Sequence, residues 1–330
     1  MHVKLKFEQS MHCSGKIVNE NYILKLKEKD YIVKNYKLDG DSPKDFIKAY
    51  FFVPDSNTKR VNKNSWPSYI AKTAEKWYPH ESVIEYMINR IGQCMGLHMN
   101  EIKLVKINEQ IRFLSKYFLN ENESLIHGAE ICGEHLGDKE MAEEIAKNKD
   151  TSRELFTFQF IKDSIRTLFP FSFETILFDL VKMVTFDALV GNNDRHFYNW
   201  GVIASKKKTS KLPTFAPIYD SARGLLWNSS DERIVRIHNN KSRKIDNYIN
   251  NACPRISIEE NTGANHFELI DFLKRHNNEY HKIVVDLSSK QIENSIIKML
   301  DKEFYHLFIR ERCELITLIL MERFKKIREI

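Results

Sequence analysis

The chain has 330 residues, of which 42% are hydrophobic and 12% aromatic, so it can bury the cores of two lobes and is not largely disordered. Its 51 basic and 45 acidic residues give a formal charge of +6, which suits an anionic ligand without requiring nucleic acid. The five cysteines form no C-x-x-C pair, so neither a disulfide framework nor a zinc site is indicated, and a reducing compartment is the default.

The first part of the chain is rich in short strand patterns separated by Asn, Asp, Gly and Pro. One helix is predicted over residues 81–94, because Ile84, Ile88 and Ile91 follow the helical period. Gly96 then ends this helix. The predicted strands cover residues 3–7, 22–26, 31–33, 46–53, 69–72, 102–107 and 111–116.

Lys72 and Glu85 are candidates for an ion pair in this strand-rich part. Lys72 ends a predicted strand and Glu85 lies one turn into the following helix, so Glu85 could hold the Lys72 ammonium against nucleotide phosphates. Glu81, a turn earlier, is a competing partner. The segment from Gly40 to Lys44 is a weaker candidate for a phosphate-covering turn. No G-x-G-x-x-G or G-x4-G-K-[S/T] motif occurs, which argues against a P-loop NTPase.

After a polar break at residues 120–124 the pattern becomes helical. Residues 173–190 are apolar over most of the helix surface, which predicts a buried central helix that leads to Asp194. Helical patterns continue beyond residue 267 and end in an amphipathic segment at 302–328. This order predicts an α+β, two-lobed fold, with a β-rich N-terminal lobe over residues 1–118 and a mainly helical C-terminal lobe over residues 119–330.

The most informative segment is a predicted β-hairpin between residues 199 and 220. Two apolar runs flank a Lys/Ser/Thr tip at residues 205–211, which indicates two antiparallel strands. Antiparallel pairing would bring Asn199 and Asp220 side by side at the open end of the hairpin. Asp194 lies five residues before Asn199, in the loop that enters the hairpin.

Asp194, Asn199 and Asp220 together suit phosphoryl transfer from a magnesium-bound nucleotide. Asp194 would orient and deprotonate the acceptor hydroxyl, while Asn199 and Asp220 are hard oxygen ligands for Mg²⁺. Any one of them would more often be a turn former or a helix cap, and only their register across one hairpin favours catalysis. The adjacent His196 would either act on phosphate or hydrogen-bond the loop, and we favour the structural role.

The hairpin also carries a family resemblance. Residues 193–201, Asn-Asp-Arg-His-x-x-Asn-Trp-Gly, and residues 218–220, Ile-Tyr-Asp, resemble the catalytic and metal-binding segments of HipA-like serine/threonine kinases, particularly the shorter, stand-alone CtkA-type members. Residues 40–44 resemble the phosphate loop of that family, residues 69–72 its nucleotide-lysine strand, residues 85–97 its Glu-bearing helix and residues 125–132 its first large-lobe segment. Two departures from eukaryotic protein kinases are visible, because Arg195 follows Asp194 and Ser-Ala follows Asp220.

The resemblance implies a protein-kinase-like fold that uses ATP and Mg²⁺. It places the adenine against backbone near residues 115–118 and implies an ATP-dependent serine/threonine protein kinase that phosphorylates a protein substrate and itself. The catalytic residues would be Asp194, Asn199 and Asp220, with Asn199 and Asp220 holding the metal. The residues implied to bind ATP are Gly40, Lys44, Lys72, Glu85, Lys116, Phe118 and His196.

Two other functions stay open. A lipid or small-molecule kinase would use a similar loop, and a fold does not choose the acceptor. A non-catalytic regulator that binds ATP or nucleic acid is the second alternative, although no helix-turn-helix or zinc-finger pattern occurs, so we do not expect a nucleic-acid partner. No signal-peptide core is visible at the start, and the apolar run at 315–321 is too short to span a membrane. We expect a cytoplasmic protein, with export to a host cell by a non-classical route as the alternative.

Overall fold

The computed structural model describes residues 5–34, 44–52, 60–207 and 211–330. Within these ranges the chain forms eleven strands and twelve α-helices, with short 3-10 helices between some of them. The strands are β1 (His12–Cys13), β2 (Leu24–Lys25), β3 (Tyr31–Lys34), β4 (Lys44–Ala49), β5 (Ser68–Lys72), β6 (Trp77–Tyr78), β7 (Ile102–Ile107), β8 (Gln110–Lys116), β9 (Glu123–His127), β10 (Gly201–Ser205) and β11 (Thr214–Phe215). The helices are α1 (His80–Cys94), α2 (Gly128–Leu136), α3 (Lys139–Lys147), α4 (Lys149–Leu155), α5 (Phe158–Leu168), α6 (Phe173–Val190), α7 (Asp231–Asn239), α8 (Lys241–Asn250), α9 (His266–His276), α10 (Asn278–Leu287), α11 (Lys290–Glu303) and α12 (Arg310–Glu329).

A six-stranded sheet forms most of the first part of the chain, in the order β2-β7-β8-β5-β4-β3. Its neighbouring strands run antiparallel, except that β2 and β7 are parallel. The sheet has an apolar cluster of its own, which includes Tyr31, Ile47 and Tyr69. Helix α1 contacts β7 and β8, and its buried Ile84 and Met87 belong to the larger core of the helical part. Helix α1 therefore joins the sheet to the second part.

The second part is mainly helical and is built around α6. Its Ile176, Leu180 and Phe186 are completely buried, and α6 contacts α5, α9, α10 and α12. A three-stranded sheet in the order β11-β10-β9 lies at the end of the loop that follows α6. None of the helices in the described ranges is both long and apolar enough to cross a membrane.

The N-terminal segment at residues 10–19 contacts both parts of the molecule. The backbone N–H of Ser14 donates to the carbonyl of Tyr78 in β6 (2.7 Å), and the carbonyl of Ser14 accepts from the N–H of Asp231 at the start of α7 (2.9 Å). Farther along, the N–H of Val18 donates to the carbonyl of Leu307, between α11 and α12 (3.0 Å). This segment therefore connects β6 with the C-terminal helices.

Most predicted elements are present, with small shifts at their ends. The helix predicted at 173–190 has these bounds as α6, and the helix predicted at 81–94 begins at His80. The strand predicted at 22–26 is shorter, because a 3-10 helix ends at Tyr22 and only Leu24–Lys25 pairs with β7. The described residues 5–7 of the predicted first strand are not in a strand, and β4 ends at Ala49 rather than continuing to residue 53.

The continuous helix predicted at 302–328 is wrong. Helix α11 ends at Glu303, a 3-10 helix follows at Tyr305–Leu307, and α12 begins at Arg310. Phe304, Leu307 and Phe308 are buried at this break. Their spacing keeps the helical period across the break, so the apolar pattern cannot locate it. The division of the chain at residue 118 stays a prediction.

Candidate active site

Helix α6 leads directly into the loop that carries Asp194. The N–H of Asn192 donates to the carbonyl of Asp187 in the last turn of α6 (2.9 Å), and the Asn192 side chain donates to the Asp187 carboxylate (2.8 Å). The Oδ1 atom of Asn192 then accepts from the backbone N–H of Asp194 (3.2 Å). Buried groups of α6 therefore fix the loop at its start.

The Arg195 guanidinium fixes the rest of this loop. It is 2% exposed and forms a two-point contact with the Asp187 carboxylate, at 2.8 and 2.9 Å. Nη1 donates to the carbonyls of Asn199 (3.1 Å) and Tyr219 (2.5 Å), and Nη2 donates to Oγ of Ser221 (2.7 Å). Burial opposes the charge, but attraction to Asp187 outweighs it and the pKa of Arg195 is raised. One side chain therefore holds α6, the loop and the segment around Asp220 together.

The predicted hairpin is present, and its open end lies next to the loop that carries Asp194. Strands β10 and β11 pair antiparallel through Val202 and Phe215, and β10 also pairs with β9. Because one guanidinium nitrogen binds the carbonyls of Asn199 and Tyr219, the backbone at these two residues is held close together. Nδ2 of Asn199 donates to the backbone carbonyl of Asp194 (3.1 Å).

The carboxylate of Asp194 lies between two guanidinium groups. Nη2 of Arg255 donates to Oδ1 at 2.8 Å, and Nε of Arg223 lies 3.8 Å from Oδ2. The Asp194 side chain is 31% exposed, so solvent or a substrate can reach it. Neither arginine is indicated by a sequence pattern. Arg255 is 61 residues from Asp194 along the chain and belongs to no motif, so no spacing could have indicated the contact.

Lys72 and Asp220 form a contact that links the six-stranded sheet to the segment after β11. The Lys72 ammonium lies 3.1 Å from Oδ2 of Asp220. Burial opposes the charged form of each group, but their attraction outweighs it, so the pKa of Asp220 is lowered and that of Lys72 is raised. Asp220 has a φ of 53°, in the left-handed region that Asp and Asn enter more readily than most residues.

The predicted direct ion pair between Lys72 and Glu85 is not formed, because Lys72 contacts Asp220 instead. The carboxyl groups of Asp220 and Glu85 both lie near the Lys72 ammonium, which can neutralise only one of them. Burial raises the pKa of Glu85 to about 8 against the attraction of Lys72, and its buried Oε1 has no hydrogen-bond partner among the described residues. Glu85 therefore lies near the pair with a raised pKa and without an ion-pair contact of its own among the described residues.

Glu81, the competing candidate, does not contact Lys72 either. Its Oε2 accepts from the backbone N–H groups of Lys76 and Trp77, both at 2.9 Å, and its Oε1 lies 3.1 Å from Nη1 of Arg223. Arg223 thus lies between Glu81 and Asp194. This contact connects the start of α1 with the surroundings of the proposed base.

The structure places the other residues predicted to bind ATP at separate positions. Lys44 is paired in register with Lys72, so both lysines lie at the same end of the sheet. Lys116 pairs through its ammonium with Glu101 (2.6 Å), and the Phe118 ring lies 5.8 Å from that of Tyr219. Gly40 lies outside the described residues. A small cleft between the two parts is lined by Glu85, Asn89, Asn100, Ile102, Phe113, Ser115, Tyr219, Asp220 and Ser221.

His196 makes contacts within the loop. Its Nδ1 accepts from the N–H of Tyr198 (3.3 Å), and its carbonyl accepts from the N–H of Asn199 (2.8 Å). Burial lowers the pKa of His196, although Asp194 and Asp220 oppose this effect. These contacts are those expected of the loop-supporting role favoured from the sequence.

A β-rich part that carries Lys72, facing a helical part that carries Asp194 and Asp220, defines a kinase-like fold of the HipA type. The chain is similar to the crystal structure of the Helicobacter pylori proinflammatory kinase CtkA, with a TM-score of 0.68 and 18% identity over 89% of this chain and 92% of that chain. HipA of Shewanella oneidensis MR-1, solved with HipB and its operator DNA, aligns with a TM-score of 0.48 and 13% identity over 79% of this chain and 58% of that chain. No curated protein sequence matches the chain.

The HipA-like C-terminal domain matches residues 37–311 of the sequence. The chain therefore belongs to the HipA-like C-terminal domain family, and the resemblance found in its catalytic segment is confirmed. The similarity to CtkA also confirms the predicted two-lobed α+β fold. Family and fold together support a kinase in general.

Proposed function

We propose that the protein is an ATP- and Mg²⁺-dependent serine/threonine protein kinase that also phosphorylates itself. The observation that carries this proposal is the 3.1 Å contact of Lys72 with Asp220. It joins the nucleotide-lysine strand to the hairpin that holds Asn199, at the loop where Asp194 is fixed. Phosphoryl transfer requires a cation for the phosphates, oxygen ligands for the metal and a carboxylate for the hydroxyl at one place.

The residues around Asp220 fit Mg²⁺ and nucleotide phosphates. The Asp220 carboxylate already faces a cation, the Lys72 ammonium. The amide nitrogen of Asn199 donates to the backbone carbonyl of Asp194, so the Oδ1 atom of Asn199 remains available as a metal ligand. In the part of the chain that the structure describes, no group of three or more His, Cys, Asp and Glu side chains could hold a metal. Mg²⁺ does not need one, because it commonly binds one or two protein oxygens and completes its shell with phosphates and water.

In this proposal each side chain has a separate task. Asn199 and Asp220 would hold Mg²⁺, which would neutralise the charge of the nucleotide phosphates. Lys72, with Lys44 beside it, would face the phosphate oxygens. Asp194 orients the acceptor hydroxyl and accepts its proton. The hydroxyl oxygen bonds to the γ-phosphorus as the bond from that phosphorus to the β-phosphate oxygen breaks, ADP leaves with the bonding electrons, and Asp194 releases the proton to solvent.

The test compares wild-type protein with the Asp194→Asn and Asp220→Ala variants. Each is incubated with γ-labelled ATP, Mg²⁺ and a generic protein acceptor, and labelled residues are identified by phosphoamino-acid analysis and mass spectrometry. We expect label on Ser or Thr with wild-type protein, and a loss of at least ~10³-fold with Asp194→Asn. Asp194→Asn should keep nucleotide affinity, measured by calorimetry, whereas Asp220→Ala should weaken Mg-ATP binding as well.

Three outcomes would contradict the proposal. Full activity of Asp194→Asn would remove Asp194 from its role. ATP binding without label on any protein would point to a lipid or small-molecule acceptor or to a regulatory role. An absence of ATP binding by wild-type protein would contradict the nucleotide site itself.

A further inference from the structure

Arg255 is brought to Asp194 from a distant part of the chain, the loop between α8 and α9. Nη2 of Arg255 donates to Oδ1 of Asp194 at 2.8 Å, and its side chain is 18% exposed. Among the described residues, Asp194 is the only group to which the Arg255 side chain donates, and Nε of Arg255 is buried without a partner. The contact is therefore the main interaction of this guanidinium rather than one of several surface pairs.

The loop that carries Arg255 is fixed on both sides by buried hydrogen bonds. The Arg153 guanidinium donates to the carbonyls of Pro254 and Ala264, the latter at 2.8 Å. The completely buried Ser257 donates through its hydroxyl to the carbonyl of Arg153, and its own carbonyl accepts from the N–H of Phe158 (2.9 Å). These bonds hold the loop against α4 and the start of α5, so the position of Arg255 is set by its neighbours.

The same loop is tied to the catalytic loop at its far end. Nε2 of His266, the first residue of α9, lies 2.9 Å from the carbonyl of Asn192. Asn192 in turn accepts from the backbone N–H of Asp194. Arg255 therefore faces Asp194 across two loops that are bonded to each other, and the distance between the two side chains does not depend on a single contact.

The two oxygens of the Asp194 carboxylate are not equivalent. Oδ1 accepts a hydrogen bond from Arg255, while Oδ2 lies 3.8 Å from Nε of Arg223, beyond hydrogen-bond distance. Arg223 is also held elsewhere, by Glu81 at 3.1 Å and by the ring of Trp227, whose centre is 3.9 Å from the guanidinium carbon. Oδ2 is therefore the oxygen left to meet an acceptor hydroxyl.

We propose that Arg255 is a positioning residue for phosphoryl transfer, which fixes Oδ1 of Asp194 and thereby turns Oδ2 toward the acceptor hydroxyl. This inference rests on the kinase function proposed above. The single charge-assisted hydrogen bond from Arg255 fixes one carboxylate oxygen, and a rigid guanidinium directs that donor better than a flexible ammonium does. A misplacement of about 1 Å in a reacting group can lower a rate by ~100-fold. Removing Arg255 should therefore lower the rate of transfer and leave nucleotide binding, which uses other residues, unchanged.

The experiment measures kcat and the KM for ATP in the full-length wild-type protein and in Arg255→Met, Arg255→Lys and Arg275→Met. Arg275 pairs with Asp271 at 2.9 Å on an exposed face of α9 and serves as the matched control for loss of an arginine. We expect Arg255→Met to lower kcat by about 10- to 100-fold while the KM for ATP changes by less than ~2-fold. Arg255→Lys should recover part of that loss, and Arg275→Met should match wild type.

Each other result overturns the inference in a different way. Wild-type kcat in Arg255→Met would show that Asp194 does not need the contact. An equal loss in Arg255→Met and Arg255→Lys, accompanied by a weaker thermal shift on adding Mg-ATP, would mean that Arg255 only maintains the fold. Absence of transfer by wild-type protein would remove the proposed function, and the inference with it, whereas active wild-type protein with an active Arg255→Met removes the inference alone.

Discussion

At the scale of single residues, the hydrogen bonds of Arg195 explain why the loop that carries Asp194 keeps its shape. Its five donors reach Asp187, Asn199, Tyr219 and Ser221, which belong to α6, the loop and the segment after β11. A lysine would keep the charge but has three donors on one atom and no planar fork. The loop therefore depends on the shape of this side chain as well as on its charge.

We predict that Arg195→Lys destabilises the protein by about 2–3 kcal/mol, because a buried ion pair loses its two-point geometry and backbone carbonyls lose their donor. Transfer activity should fall by at least ~10²-fold, since Asn199 and Asp220 lose their common support. Urea unfolding followed by circular dichroism measures the first effect, and the labelling assay measures the second. Arg275→Lys, in an exposed pair with Asp271, is the control and should change neither. Unchanged stability in Arg195→Lys would contradict this account.

The sequence predicts Asp194, Asn199 and Asp220 as one site because their information is local. The five-residue spacing and the symmetry of the two apolar runs about a polar tip are properties of one short segment. The partners of Asp194 were missed for the opposite reason, because Arg223 and Arg255 come from separate loops. The sequence also does not predict that Lys72 pairs with Asp220 rather than with Glu85, because this pairing depends on how deeply each carboxyl group is buried in the fold.

At the scale of elements, strand β9 is the part of the site that the sequence pattern concealed. Its first residues fall in the polar stretch at 120–124, yet the strand pairs with β10 over five positions, from Gly201 opposite His127 to Ser205 opposite Glu123. Strand β10 is thus the central strand of a three-stranded sheet. A short strand with one polar end gives too little alternation to be recognised without its partner. The broken helix before α12 was missed although its apolar period is strong, because the period continues across the break.

Close approach of β9 and β10 requires a glycine at position 201. A Cβ added there would lie 2.4 Å from the backbone carbonyl oxygen of Ile126, so an alanine forces the strands apart. We predict that Gly201→Ala costs about 2 kcal/mol of stability and lowers transfer activity, since Asn199 lies two residues before this position. Thermal unfolding and the labelling assay measure the two effects. Ser205→Ala, at the other end of β10, should leave both near wild type, and a fully stable, active Gly201→Ala would show that the strands can separate without cost.

At the scale of the whole molecule, a buried junction joins the N-terminal segment, α1 and the C-terminal helices. His80, at the start of α1, is completely buried, and its Nδ1 lies 3.1 Å from the carbonyl of Ser14. Its Nε2 lies 3.9 Å from Asp231, which is paired with the buried Arg312 of α12 at 2.9 Å. Burial, and then the charge of Arg312, lowers the pKa of His80 from 6.5 to about 3. The ring is therefore neutral in the folded protein.

We predict that this junction makes the protein sensitive to acid. The unfolded chain binds a proton at His80 below pH 6.5 and the folded protein does not until about pH 3, so stability falls as the pH drops through this window. At pH 5 the loss from His80 alone should be about 2 kcal/mol. Urea unfolding of wild type and His80→Gln at pH 8 and pH 5 tests this, and the variant should show a smaller difference between the two pH values. Equal differences would mean that His80 is not the group that titrates.

The N-terminal segment has a consequence for how the cleft can move. The segment is hydrogen-bonded to Tyr78 in β6 and to Asp231 and Leu307 in the helical part, and only three residues lie between Ser14 and Val18. A connection this short would limit how far the six-stranded sheet and the helical part can move apart. In the proposed kinase, nucleotide entry and release would then need either a narrow opening or the breaking of a few backbone hydrogen bonds. A ligand that displaced residues 14–18 from α7 would remove this limit. The rate of product exchange would then be set far from the proposed catalytic residues.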